Sequence, residues 1–261
     1  MKTVLAIGCH PDDIEFMMAG TLFLLKDRGC EIHCMITTNG DCGSLEHGRV
    51  ELAAIRRAEA REACEFLGAH FHDSIANDLE VFYEDSLIRK LTAVVREVRP
   101  DILLLLSPQD YMEDHMNSCR LGVTAAFCRG MPNYTSIPDR EPYQKDIALY
   151  HALPYGLRDG LDRIVAPDYF VDVRAAIDRK QEMLARHKSQ QAWLGSSQGL
   201  NSYLATMRSM SAEVGAMSGR WTYAEGFRRH NPLGFSEARI NPLGELLGDL
   251  LSDPGEAIRG A

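Results

Sequence analysis

Asp101-Ile-Leu-Leu-Leu-Leu-Ser107 is the stretch that most narrows the fold. A strand with one wet face alternates polar and apolar side chains; this one does not, so both of its faces need cover. Helices on either side of a parallel sheet supply that cover. Val4-Leu-Ala-Ile7 reads the same way, as a short apolar and partly β-branched strand. Both runs stop abruptly at polar residues. The first ends in Gly8-Cys9-His10-Pro11-Asp12-Asp13, and the second in Ser107-Pro108 followed by Gln109-Asp110-Tyr111-Met112-Glu113-Asp114-His115. In an open α/β sheet such strand-to-helix turns share the carboxyl edge, where ligands bind.

The remaining pattern fits this frame. Apolar spacing predicts a helix over Ile14–Leu25, a strand over Glu31–Thr38 and a polar loop over Asn39–Ser44. A helix over Val50–Leu67 is stopped by Gly68, and a short strand is expected over Ala69–Asp73. Helices follow over Ser86–Val98 and Cys119–Cys128, then a Pro-rich irregular stretch to Pro142. Ile147–His151 and Tyr169–Val173 read as strands, and Arg174–His187 as a helix. A long helix over Gly199–Met217 is expected to break at Gly215. The body thus spans residues 1–230. Residues 231–261 hold two Asn-Pro-Leu-Gly copies and read as an irregular arm. It packs on the body or on a neighbouring subunit, which leaves a homo-oligomer open.

The first strand end carries imidazole and two carboxylates. A catalytic zinc takes three such ligands and keeps one position for water. One carboxylate can ligate while its neighbour takes a proton from that water. The plainer reading is that Asp12 or Asp13 caps the next helix. His115, at the end of the other strand, can join His10 and Asp13 as third ligand, because neighbouring parallel strands bring their carboxyl ends together. A lone His in such a loop is more often a surface residue; the matching chemistry of the first strand end is what singles this one out.

Composition excludes other classes. The net charge is −9 with no block of Lys or Arg, which argues against a nucleic-acid partner. No apolar run reaches the ~18 residues that span a bilayer. Met1-Lys2 leads straight into the first strand, so a signal peptide is not expected. The seven cysteines are scattered without a C-x-x-C pair, which fits reduced thiols in a cytoplasm. No G-x-G-x-x-G follows the first strand, and its carboxylates would repel a pyrophosphate.

Gly8 to Glu15 resembles the A-H-P-D-D-E signature of the LmbE-like (PIG-L) deacetylase family, with one extra residue, Ile14, before the acid. Further segments match in order. Thr38-Asn39-Gly40-Asp41 with Gly43 resembles a T-x-G-x-x-G loop, and Arg56 to Glu59 an R-x-x-E helix. Asp172, Lys180 and His187-Lys-Ser-Gln190 resemble a D…K…H-x-S-Q segment, and Tyr223 to Phe227 a Y-A-E-x-F element. The resemblance spans roughly residues 3–230. It implies a Rossmann-like, mostly parallel sheet flanked by helices, and a divalent metal, usually zinc, with Fe2+ or Mn2+ as alternatives. It implies hydrolysis of an N-acetyl group on a small, sugar-containing substrate. His10, Asp13 and His115 match the metal ligands and Asp12 the general base. Arg56, Asp78, Asn39 and Asp41 fall at substrate-side positions.

One position departs from the pattern. The second metal motif usually reads H-P-D-H, and here it is Met112-Glu113-Asp114-His115. The missing His would stabilise an oxyanion or protonate the leaving amine, and Met can do neither. His187 is the first candidate to replace it, followed by His47 and His230, with Asp114 as a partner that orients an imidazole. His187 could equally just cap its helix end. The rival to an enzyme is a family member that binds metal and sugar without turnover.

Overall fold

The computed structural model describes residues 1–198 and 203–253, with side chains described outside 195–202. The leucine run forms β4 (Ile102–Leu105), and all four residues are fully buried. Leu104 faces one apolar core, with Val4 and Ala6. Leu103 and Leu105 face a second core across the sheet, with Leu5 and Ile7. Helices cover both faces, which is why the run has no polar position.

The chain proceeds through β1 (Thr3–Gly8), α1 (Asp13–Met17), α2 (Ala19–Asp27), β2 (Glu31–Ile36), α3 (Arg49–Leu67), β3 (His70–His72) and α4 (Asp85–Val98). After β4 come α5 (Glu113–Phe127), β5 (Ala148–Ala152), β6 (Tyr169–Asp172), α6 (Ile177–Leu184), α7 (Lys188–Gln198) and α8 (Tyr203–Ser218). The last described elements are β7 (Ala224–Arg229), α9 (Pro242–Leu247) and β8 (Leu251–Ser252). The eight strands lie in the order β3-β2-β1-β4-β5-β7-β6-β8. Pairings from β3 to β5 are parallel, as expected. β7 inserts antiparallel between β5 and β6, and β8 runs antiparallel beside β6. Strand order reverses direction between β1 and β4, and that crevice is where an open α/β sheet binds ligands.

Several elements differ from the sequence reading. The helix expected over Ile14–Leu25 is two, split at Met18, whose φ of −146° is not helical. The carboxylate of Glu225, on β7, accepts from Gly20 N and Thr21 N, both at 2.8 Å, and so caps α2. Glu225 is itself ion-paired with buried Lys180 at 2.7 Å. These two motif residues hold α2, α6 and the sheet together. α5 starts at Glu113 rather than Cys119, which puts His115 in its first turn instead of a loop. Gly215 does not break α8; an added Cβ would sit 2.6 Å from Trp221 O, so the glycine permits a close approach of β7's lead-in. The expected start of that helix, 199–202, lies outside the described residues. The arm is not wholly irregular. Asn241 caps α9, with its Oδ1 accepting from Gly244 N at 3.2 Å and from Tyr150 Oη at 2.7 Å, and β8 then joins the sheet.

Candidate active site

β1 ends at Gly8, and the chain then turns sharply. Cys9 N and His10 N both donate to Asp13 Oδ2, at 2.9 and 2.7 Å. Asp13 therefore braces the turn behind it, and neither Asp12 nor Asp13 caps α1 by its side chain, contrary to the capping reading. Asp12 adopts φ 117°, ψ −19°. A non-glycine residue held there stores strain of about 1–3 kcal/mol, the kind of outlier that clusters at functional sites. His115 arrives from across the β1/β4 crevice on the first turn of α5.

Three side chains converge there. His10 Nδ1 lies 3.2 Å from His115 Nε2 and 3.8 Å from Asp13 Oδ2. His115 Nε2 lies 3.4 Å from Asp13 Oδ1. The opposite ring nitrogens meet carboxylates: His115 Nδ1 is 3.0 Å from Asp110 Oδ2, and His10 Nε2 is 3.4 Å from Asp114 Oδ2. Those partners are fixed in turn, since Asp110 accepts from Met112 N and Asp114 from Leu79 N. A carboxylate behind each imidazole holds the proton on the far nitrogen and leaves the near lone pair for a cation. Two imidazoles and a carboxylate are a donor set that can hold a divalent ion. Cys9 also lies within ligand distance of His10 and Asp13. It is fully buried, however, and burial pushes its thiol pKa up, so it faces the core rather than the open side.

The convergence sits in a cleft of about 290 Å³. Its wall includes Phe16, Tyr111, Met112, Tyr155 and Trp193, with Arg56 and Asp78 on the polar side. Asp12 lines it too, with Tyr203 Oη donating to its Oδ2 at 2.7 Å. Burial first, then the charge of Asp13, pushes Asp12 up to about 7, against the pull of His187 and Tyr203. A cation beside it would draw that value down.

Arg56 is 2% exposed and lines the cleft. Its Nη1 and Nη2 donate to Gly40 O and Gly43 O, at 2.6 and 2.7 Å. The glycine loop is wrapped around it: Gly40 has φ +73°, and an added Cβ there would meet Arg56 Cδ at 2.5 Å. Among the described residues no carboxylate pairs with this guanidinium, whereas Arg57 pairs with Asp73 on the surface. Glu59, one turn along α3, accepts from Ser189 N and Oγ and ties α7 to α3.

Three sequence expectations need correction. His187 does not reach the cleft; its N–H is bonded to Leu184 O and its Nε2 lies 3.0 Å from Glu15 Oε1. It is 1% exposed, tucked behind Asp12 by the turn that ends α6. Burial disfavours its charge, yet the carboxylates of Glu15, Asp12 and Glu59 together outweigh this and its pKa is raised. Neither His47, paired with Glu51, nor His230, bonded to His151, lines the cleft either. Asn39 and Asp41 do not line the cleft: Asn39 bonds Asn77, while Asp41 pairs with Arg49 at 2.6 Å and accepts from Asp78 N. Asp78 does line the cleft, but both its oxygens brace the loop by accepting from Gly40 N and Cys42 N. Sequence reasoning missed Tyr203, Asp110 and the aromatic wall. Asp110 stood in plain view in the strand-end loop, but Tyr203 carried no signal beyond the spacing of a core helix.

The family model described as PIG-L: GlcNAc-PI de-N-acetylase matches residues 5–127. The uncharacterized deacetylase YaiS of Escherichia coli (strain K12) is 30% identical over 141 residues, 50% of this chain and 70% of the relative. The chain belongs to the PIG-L (LmbE-like) family. Within it, the diacetylchitobiose deacetylase of Thermococcus kodakarensis is 28% identical over 242 residues, 87% of this chain and 83% of the relative. The structure of N,N'-diacetylchitobiose deacetylase from Pyrococcus horikoshii superposes with a TM-score of 0.75 at 26% identity, covering 93% of this chain and 88% of that one. The PIG-L match ends at Phe127, so it contains both strand ends that meet at the cleft but not Tyr203.

Proposed function

We propose that this PIG-L chain is a metal-dependent hydrolase that removes an N-acetyl group from a small, sugar-containing substrate. The observation that carries this is the meeting of His10 Nδ1, Asp13 and His115 Nε2 beside the Asp12 carboxylate, inside an aromatic-walled cleft. The deacetylase relatives support the reaction type. The donor set suits zinc, and Fe2+ or Mn2+ are alternatives. A divalent ion held there supplies Lewis acidity, polarising an amide carbonyl and acidifying water.

The chain's own groups do the rest. Asp12 takes the proton of the attacking water and returns it to the leaving amine. Tyr203 holds one Asp12 oxygen, leaving the other for that proton. Arg56 offers a planar charged fork to the acetate product or to a polar substrate group. Tyr111, Tyr155 and Trp193 offer faces on which a sugar ring can lie. Met112 faces the cleft where the family carries a donor, so this enzyme hydrolyses with one hydrogen bond fewer to the developing oxyanion. Residues 1–230 act as the catalytic domain, and the described part of the C-terminal arm, 231–253, braces it by packing on it. All seven cysteines are free, which supports a cytoplasmic setting.

The test is acetate release over a panel of N-acetylated sugars, with metal analysis on the same sample. Asp12→Asn is expected to keep its metal and lose roughly a hundred- to ten-thousandfold in turnover. A panel without acetate release from the metal-loaded protein would instead favour a binding protein that has lost turnover, for which Met112 is the supporting feature.

A further inference from the structure

At the opposite end of the strands from the cleft, a second group of ligand-type side chains is assembled. Glu31 and His33 lie two apart on β2 and so share a face. His70, on the neighbouring strand β3, is in register with His33. The His33 and His70 rings stack, with centroids 4.6 Å apart. Glu31 Oε1 lies 3.6 Å from His33 Nε2 and 3.5 Å from His70 Nε2. Those separations are long for hydrogen bonds. They match the spacing of ligand atoms around a tetrahedral ion, about 3.4 Å apart for bonds of about 2.1 Å. Two imidazoles and one carboxylate thus each offer one ligand atom, all within 4.8 Å of one another.

His72 completes the arrangement. Its Nε2 lies 2.9 Å from His33 Nδ1. A proton on His33 Nδ1, donated to His72, leaves the His33 Nε2 lone pair pointing at the Glu31 side, as an outer partner does for a metal-ligating imidazole. His70 is exposed while His33 is largely covered, so a cation could enter from solvent and be held from below.

We infer that Glu31, His33 and His70 form a second binding site, distinct from the cleft, for a borderline divalent cation of the zinc class. An ion there would pin the three-residue edge strand β3 to β2. No proton or electron transfer is involved; the ion trades water ligands for two imidazole nitrogens and a carboxylate oxygen.

Zinc titration against a chromogenic chelator tests this. The His10→Ala/His115→Ala double variant lacks the cleft ligands and is expected to retain one zinc per chain. Adding His70→Ala should lower that remaining affinity at least tenfold. His70 sits on an edge strand and is exposed, so this change leaves the fold in place, which circular dichroism checks. In the otherwise unchanged chain, His70→Ala should reduce bound zinc from two to one and leave acetate release intact. A double variant that binds no zinc, or one whose zinc is indifferent to His70→Ala, overturns the inference whatever the fate of the deacetylase reading.

Discussion

Tyr203→Phe removes one oxygen and leaves the ring. That oxygen donates to Asp12 Oδ2 at 2.7 Å, where the two residues are only 2% and 6% exposed. A hydrogen bond to a buried charged group contributes about 1.5–3 kcal/mol. If that contribution goes into holding Asp12 for proton transfer, kcat falls roughly ten- to a hundredfold, at about 1.4 kcal/mol per tenfold. The ring keeps its edge contact with Phe16, centroids 5.1 Å apart, so the fold and the metal content should hold. The assay is initial-rate acetate release, with metal analysis of the same preparation. In an Asp12→Asn background the same change should cost little more, because the two residues act as a unit. Unaltered turnover in Tyr203→Phe, or a loss that multiplies in full with that of Asp12→Asn, refutes the reasoning.

Other consequences follow from the same geometry. Met112→His places an imidazole on the cleft wall and is expected to raise kcat tenfold or more, since one oxyanion donor is worth about a hundred- to a thousandfold; an unchanged kcat would mean another group already donates. Lys180→Met leaves Glu225 buried without its cation and should cost about 3 kcal/mol or more in a denaturant titration; a midpoint like that of the unchanged protein would show the pair to be dispensable. Burial pushes His151 down to about 4, below its unfolded value of about 6.5. The unfolded state therefore takes up the proton first, so the contribution of His151 is full above about pH 6.5 and is lost as pH falls toward 4. A His151→Phe variant should show a flatter melting temperature across that window, and an equally steep fall would assign the acid sensitivity to other groups.

The sequence by itself determined the layering. The polar-free run at Ile102–Leu106 can only be covered on both sides, and its partner Val4–Ile7 obeys the same rule. Hydrophobic period is a local property, so these strands, their parallel pairing and the edge at which His10 and His115 would meet were legible. The family resemblance supplied Arg56, which spacing alone could not distinguish from Arg57.

What the tertiary structure decided is which partner each polar group takes. Tyr203 reaches Asp12 across 191 residues, and Glu225 caps α2 across 205. No local pattern encodes such pairs, because their geometry depends on where β7 and α8 dock against the parallel half. His187 shows the same point from the other side. Its motif invited a role in the chemistry, yet the turn after α6 buries it against Glu15. The Glu15 carboxylate draws charge onto that buried imidazole, and only the packing of α6 under α1 decided that the carboxylate would be there.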